Sequence, residues 1–360
     1  MTFDIYSFYE YLTNSGARIR LDAGDPDHGP PSEVIEVLAR EVRKGLGYTP
    51  ASGLRNLREK IAEMHGVDVK EVVVTPGAKA AIAALINKSS RVGVFAPFWP
   101  GYGTAASFFG RALVAHRLSP ESGWVPRYRD AESLAVKADL VLLNYPNNPT
   151  GAVINEVSAR EIIEVFRDAG AVIVSDEAYR DIVFNGRSLV MAELESGGVV
   201  SVYSFSKTFA LPGLRIGYVV GDPDLVEQVR RFIASTYTGV PRFAQAAALK
   251  ALDLLGEYSR RVRKLYRERL NKVISYLDKE LFEFTPPKGG LYLFLRIRCG
   301  LDGTSLAYRL ARRGVGVFPG EAFGGREYRQ YIRVSLTSPT ETLLEGISAI
   351  SEEVEVGCRQ

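Results

Sequence analysis

Ser201-Val202-Tyr203-Ser204-Phe205-Ser206-Lys207-Thr208-Phe209-Ala210-Leu211-Pro212-Gly213-Leu214-Arg215-Ile216-Gly217-Tyr218 is the stretch that decides how this chain is read. It sets a lysine just past a short apolar strand, among hydroxyls, with an arginine eight residues later before a second strand. A lone lysine in a loop is ordinarily a solvated charge. A lysine fixed at a strand end beside hydroxyls and an arginine can instead form a Schiff base with a carbonyl cofactor, while the arginine and hydroxyls hold a phosphate. On this stretch alone both readings stand.

Upstream, short and continuously apolar runs predict strands at 72–75, 92–95, 113–116, 140–144 and 171–176, followed by 199–204 and 216–220 around the opening stretch. Helical periodicity at 78–86 and 158–166 falls between them. Fully apolar strands alternating with helices indicate a sheet covered on both faces, with ligands at the strand C-terminal ends. Ahead of it lie a polar-aromatic lead-in over 1–18, a brief strand at 19–21, a helix over 32–44 with Ser32 as N-cap, and a helix over 54–64. Beyond Gly221 the pattern changes to helices at 222–237, 243–255 and 258–281. Strands at 291–295, 315–318 and 331–335 follow, flanked by helices at 304–313 and 339–354. The expected fold class is therefore α/β: a large unit with a mostly parallel seven-stranded sheet, plus a smaller α+β unit. The expected divisions are 1–44, packing with the small unit; 45–257, the large domain; and 258–360, the small domain.

The 360 residues are 46% hydrophobic and 24% charged, ordinary for a globular chain of one or two domains. A formal charge of +3 gives no argument for nucleic acid. The basic run 260–270 carries Tyr258, Val262, Leu265, Tyr266, Leu270 and Val273 at helical spacing and reads as the solvated face of an amphipathic helix. Cys299 and Cys358 lack metal spacing, so a disulfide framework is not expected and a reducing cytoplasm fits. Residues 1–6 lack the form of a signal peptide, and no apolar run is long enough to span a bilayer. His28, His65 and His116 are scattered and favour neither a triad nor a metal site.

The strand ends carry the chemistry. Thr75-Pro76-Gly77-Ala78-Lys79 reads as a simple strand-to-helix turn or as an anion site at a helix N-terminus. Trp99, in Pro97-Phe98-Trp99-Pro100, can stack on a flat ring or pack beneath its loop. Asn144-Tyr145-Pro146-Asn147-Asn148-Pro149-Thr150-Gly151 is dense turn chemistry, and Asn148 can donate to a phenolate-like oxygen. Asp176 ends an apolar strand. A buried acid there needs a partner, such as a protonated pyridine nitrogen, with Tyr179 in reach of the same ring; Asp176 can also be a helix N-cap. Together Asp176, Tyr179, Asn148, Lys207, Arg215 and Trp99 answer the requirements of pyridoxal 5′-phosphate.

The chain resembles the class I/II aminotransferases of the fold-type I pyridoxal-phosphate enzymes, and prokaryotic aspartate aminotransferases in particular. The resemblance rests on Gly24-Asp25-Pro26-Asp27, Tyr48 with 53–58, Gly77-Ala78-Lys79, Pro97-Phe98-Trp99, Asn148-Pro149-Thr150-Gly151, Asp176-Glu177-Ala178-Tyr179, Ser204-Phe205-Ser206-Lys207, Arg215, 287–292 and Tyr331-Ile332-Arg333-Val334-Ser335. It implies that Lys207 carries the cofactor and moves the Cα proton. Asp176 would pair with the ring nitrogen, Asn148 and Tyr179 with the phenolic oxygen, and Trp99 would stack on the ring. Ala78, Lys79, Ser204, Ser206 and Arg215 would take the phosphate. Tyr48 would reach the neighbouring subunit's phosphate, making the protein a homodimer with shared sites. Arg333 would clamp the substrate α-carboxylate, assisted by Asn148 and the Gly24 backbone. Lys79 points to a dicarboxylic substrate, aspartate or glutamate, although it can equally be a solvated lysine. A histidinol-phosphate aminotransferase fits the compact length as well. A C–S lyase or decarboxylase remains open because one fold serves several reactions. A ligand sensor would need an appended DNA-binding segment, for which 1–18 is too short.

Overall fold

The computed structural model describes residues 3–186 and 188–359; Met1 and Thr2 of the expected lead-in lie outside the described residues. The rest of that lead-in is a helix, α1 (Ile5–Asn14). Asp4 caps it by accepting the N–H groups of Tyr6 and Ser7, and Phe8 and Leu12, four apart, bury one face. Strand β1 (Ile19–Arg20) and helices α2 (Ser32–Arg43) and α3 (Arg55–His65) follow. Ser32 is not the N-cap. Pro31 takes that position, extended at ψ 141, and Ser32 is the first helical residue, its hydroxyl donating to Glu33 at 3.1 Å.

The large unit then runs β2 (Val72–Thr75), α4 (Ala78–Ile86), β3 (Arg91–Ala96), α5 (Gly101–Phe108), β4 (Ala112–Arg117), α6 (Tyr128–Ala135), β5 (Leu140–Asn144), α7 (Glu156–Asp168), β6 (Val172–Asp176), α8 (Met191–Leu194), β7 (Val199–Ser204), α9 (Phe205–Thr208), β8 (Gly217–Gly221) and α10 (Pro223–Thr236). Its seven strands lie in the order β2-β8-β7-β6-β5-β3-β4. All neighbours are parallel except the two pairings of β8. Alternate residues serve opposite faces: Leu142, Val174 and Val202 pack with Ala81, Leu85 and Ile233, whereas Val141, Leu143 and Ile173 pack toward Ile163 and Phe166. Each such fully buried aliphatic side chain contributes about 1.5–3 kcal/mol. This two-sided burial is why the strands read as unbroken apolar runs.

Helix α11 (Arg242–Tyr276) is continuous for 35 residues, where the sequence suggested two helices parted near Gly256. A mid-helix glycine costs only about 1 kcal/mol relative to alanine. Burial of Ala248, Ala251, Leu252, Tyr258 and Val262 on either side outweighs it. The helix is roughly 50 Å long. The remaining elements are β9 (Phe282–Glu283), β10 (Tyr292–Ile297), α12 (Gly303–Arg312), β11 (Val315–Gly316), β12 (Phe318–Pro319), β13 (Tyr331–Ser335) and α13 (Thr340–Cys358). The expected strand at 315–318 divides between two sheets. Its first half pairs in parallel with β1, and Phe318–Pro319 forms the edge of an antiparallel sheet ordered β12-β13-β10-β9. An edge tolerates Pro319, which has no N–H to donate.

The cysteine expectation is overturned: Cys299 and Cys358 form a disulfide across 59 residues. Their Cα atoms lie 5.8 Å apart because the turn after β10 and the end of α13 meet, a proximity that spacing alone does not reveal. The basic run also departs from its reading at one point. Arg269 is buried, its side chain 8% exposed, and pairs with Asp27. No helix among the described residues is long and apolar enough to cross a membrane.

Candidate active site

The C-terminal ends of β5, β6 and β7 deliver Asn144, Asp176 and Ser204 to one edge of the large sheet. Antiparallel β8 begins at the same edge, with Gly217 opposite both Thr75 and Ser204. A cavity of about 460 Å³ opens there, of the size that takes a small organic ligand. Its walls include Lys207, Asp176, Tyr179, Asn148, Ser204, Ser206, Arg215, Ala78, Lys79 and Trp99 from the large unit, and Gly24 and Arg333 from across the cleft. Tyr48 is not among them. It stands 89% exposed in the segment between α2 and α3.

Asp176 is 6% exposed. One carboxylate oxygen accepts the Tyr102 hydroxyl at 2.6 Å, the other the Ala178 N–H at 3.1 Å. No helix begins here, so Asp176 is not the helix N-cap that the sequence also allowed; its second bond closes a turn and occupies only one oxygen. Burial pushes the Asp176 carboxyl above its ordinary value, opposed by the Tyr102 and Ala178 hydrogen bonds and by Lys207. No Lys, Arg or His among the described residues forms an ion pair with it. Beside it, the Tyr179 hydroxyl lies 3.5 Å from Asn148 Nδ2 and 3.1 Å from the Tyr292 hydroxyl. Burial holds the Tyr179 phenol well above its ordinary range.

Lys207 sits in the short turn α9, with Ser204 Oγ accepting the Ser206 N–H at 3.2 Å. Its Nζ donates to the Gly24 carbonyl across the cleft at 2.7 Å. Near it α4 begins without a side-chain cap, so its first N–H groups are available to an anion. Gly77 enters that helix at φ +76, where a Cβ would come within 3.0 Å of the Arg215 guanidinium. Arg215 itself holds φ +50, a conformation that costs an L-residue of order 1 kcal/mol, and its Nη1 donates to Pro212 at 2.8 Å.

Arg333, on β13, is 4% exposed. Its Nη1 donates to Asn148 Oδ1 at 3.0 Å and its Nη2 to the Asp22 carbonyl, while Nε has no partner. Tyr292, Phe318 and Phe323 surround the guanidinium at 4.1–5.0 Å. No acid among the described residues pairs with it. At the mouth, Lys79 Nζ donates to the Tyr6 hydroxyl at 2.9 Å and lies over the Trp99 ring at 5.7 Å.

Sequence reasoning gave no role to Tyr102, Tyr292, Tyr6 or Tyr9. Tyr102 meets Asp176 across 74 residues, and only the sheet order brings them together. Tyr6 and Tyr9 line the cavity from α1; their spacing of three after a capping Asp4 was the available signal.

A sheet-end lysine, a buried acid free to take a ring N–H, two phenolic-oxygen donors and an uncapped helix start beside an arginine fit pyridoxal phosphate, and define a fold-type I enzyme of that cofactor. The family described as aminotransferase class I and II matches residues 17–350. The aspartate aminotransferase of Thermococcus kodakarensis is 40% identical over 354 residues, covering 98% of this chain and 93% of that one. The structure of Thermus thermophilus aspartate aminotransferase with maleate superposes with a TM-score of 0.89 at 26% identity, covering 97% and 94% of the two chains. That of an aromatic aminotransferase from Pyrococcus horikoshii gives 0.88 at 28%, covering 97% and 98%. The chain belongs to the class I and II aminotransferases. It is a pyridoxal-phosphate-dependent enzyme that moves an amino group between an amino acid and a 2-oxo acid.

Proposed function

We propose that the amino donor and acceptor are dicarboxylic: aspartate or glutamate with oxaloacetate or 2-oxoglutarate. One observation carries the assignment of roles. Two buried charges of opposite sign, Asp176 and Arg333, face one cavity without ion-pair partners among the described residues. Such charges are costly unless a ligand pairs them. Asp176 suits a cationic ring N–H, and Arg333 suits a substrate carboxylate, which its planar fork can bind through two oxygens. When bound, pyridoxal phosphate supplies an electron-withdrawing ring that acidifies the substrate Cα–H. Lys207 Nζ, released from the Gly24 carbonyl, is the group that takes and returns that proton. Asn148 and Tyr179 orient the ring through its phenolic oxygen, and Trp99 covers its face. The α4 N–H groups of Ala78 and Lys79, with Ser204, Ser206 and Arg215, hold the phosphate. Lys79, which lines the cavity, would take a second carboxylate, the feature that favours a dicarboxylic substrate; the aspartate aminotransferases among the relatives support it.

We propose further that the enzyme is a homodimer in which Tyr48 serves the neighbouring site, supported by the exposure of Tyr48, Leu46, Ile35 and Val42 along one segment. Residues 1–44 go with the small domain, 258–360, as the β1–β11 pairing supports, and 45–257 form the large one. A cytoplasmic setting suits the substrates, but the disulfide removes cysteine usage as an argument for it.

Mixing the holoenzyme with single amino acids and following the cofactor absorbance tests the substrate. Aspartate and glutamate should convert it fastest, with turnover only when a 2-oxo acid is added. Equal conversion by aromatic amino acids would overturn the dicarboxylic assignment, and product formation without a 2-oxo acid would mark a lyase.

A further inference from the structure

Arg269 lies on the apolar stripe of α11, at the position after Tyr258, Val262 and Tyr266 where another apolar residue would be expected. Its two terminal nitrogens each bond one oxygen of Asp27 at 2.6 Å, and Nη1 also donates to the Leu336 carbonyl at 3.1 Å. Asp27 and Leu336 belong to the two segments that frame the carboxylate site. Leu336 follows β13 three residues after Arg333. Asp27 ends the loop whose upstream carbonyls hold the cleft together: Asp22 accepts Arg333, Ala23 accepts Thr337 at 3.1 Å, and Gly24 accepts Lys207 at 2.7 Å.

We propose that Arg269, through Asp27, is a positioning residue for substrate-carboxylate binding; this rests on the reading of Arg333 as the carboxylate clamp. A guanidinium with both its terminal nitrogens engaged fixes the loop and the end of β13 in one register. The loop has little other regular structure to hold it. Between β1 and α2 it forms no strand or helix; Leu21 accepts the Ser335 N–H at 2.7 Å, but the Asp22, Ala23 and Gly24 carbonyls that follow take side-chain donors. Downstream, the Gly29 carbonyl accepts the Tyr258 hydroxyl, and Tyr258 stacks on Phe209, two residues past Lys207, at 5.6 Å and 8°. Helix α11 therefore anchors the loop at two points, of which the Arg269 pair is the one joined to the strand bearing the clamp.

A purely structural ion pair would also destabilise the fold when broken, so the test separates the two roles. Arg269→Met with Asp27→Leu removes both charges and leaves neither buried alone. In the holoenzyme this double variant should raise KM for both the amino acid and the 2-oxo acid by about tenfold or more, with kcat changed by less than about threefold. The Kd of a dicarboxylate inhibitor such as succinate, read from the cofactor absorbance, should weaken in parallel. The slow half-reaction with an amine lacking a carboxylate should run at the wild-type rate. Unchanged KM and inhibitor Kd in a folded double variant would overturn the proposal, as would equal slowing of the carboxylate-free amine. Asp27→Asn, which keeps an acceptor for Arg269, provides the milder variant should the double one not fold. It should show the same carboxylate-selective loss at smaller size, and a wild-type Kd in it would refute the proposal. If wild type itself fails to transaminate, the reading of the site is at fault instead, and the inhibitor Kd still reports on Arg269.

Discussion

The two walls of the cleft are built on different principles. The wall bearing Lys207, Asp176, Asn148 and Ser204 is built on the C-terminal edge of a seven-stranded sheet, where backbone register sets Asn144, Asp176 and Ser204, with Asn148 and Lys207 in the turns just beyond β5 and β7. The wall bearing Gly24 and Arg333 brings an irregular loop and a small-sheet strand together, joined by one backbone bond from Ser335 to Leu21 and otherwise by side chains donating to backbone carbonyls from up to 314 residues away. A sheet edge positions groups rigidly, as suits a resident cofactor. A wall held by individual hydrogen bonds can adjust as substrates exchange. Damage to the first wall should therefore abolish chemistry or cofactor binding, whereas damage to the second should weaken substrate binding.

The largest effect tests the first wall. Lys207→Ala should lower turnover by about 10⁴-fold or more and abolish borohydride-reducible attachment of the cofactor, detected by mass spectrometry of the intact chain. Attachment that survived at another lysine would remove the sheet edge from the centre of the mechanism. Asp176→Asn should lower turnover by about 10³-fold, with cofactor released more readily. It should also stabilise the apoprotein by about 1 kcal/mol near neutral pH, read as a rise in Tm. The sign follows from the raised carboxyl: above its unfolded value of 3.8 the unfolded chain ionises first, and above the raised folded value the unliganded fold carries an unfavourable buried charge, which asparagine removes. The gain should vanish as the pH falls below that value, where the carboxyl is protonated in folded and unfolded chains alike.

The second wall should fail more gently. Arg333→Ala should lower kcat/KM for amino acid and 2-oxo acid by about 100-fold, mostly through KM, while the cofactor stays bound. Cofactor loss in this variant would mean that the two walls are not separable.

The difference between the walls also governs what the sequence could disclose. A two-sided sheet demands unbroken apolar strands, so β2, β5 and β7 are legible to the residue, and motifs at strand ends mark Asp176, Asn148 and Lys207. The second wall has no period. Asp27 and Arg269 are 242 residues apart, and a charge run at helical spacing conceals that one of its arginines points inward. Tyr102 escaped for a related reason, since its partner follows from strand order. The disulfide and the unbroken α11 were invisible because a chain contact and a tolerated glycine leave no local mark.

The smallest expected effect compares the walls through their histidines. His65 lies beneath the first, its Nδ1 2.6 Å from Glu193 and its Nε2 2.9 Å from the Tyr218 hydroxyl. Burial lowers its proton affinity and the Arg180 charge lowers it further, against Glu193 and Asp181. His28 lies behind the second wall. Burial lowers it too, against the Gly29 carbonyl, Asp27 and the Lys207 carbonyl, with Arg269 adding to the depression. For both, the unfolded chain binds the proton more readily than the folded one. Stability is therefore full above the unfolded value of 6.5 and is lost as the pH drops below it, by no more than about 1.4 kcal/mol per unit for a single proton. His65→Gln should flatten the acid limb of Tm while leaving the rise of KM at acid pH as in wild type. His28→Gln should flatten the acid rise of KM as well, because protonating His28 disturbs the loop that carries Asp22 and Gly24. Identical KM profiles in the two variants would show that the loop moves with the sheet edge, and the walls would then be one unit.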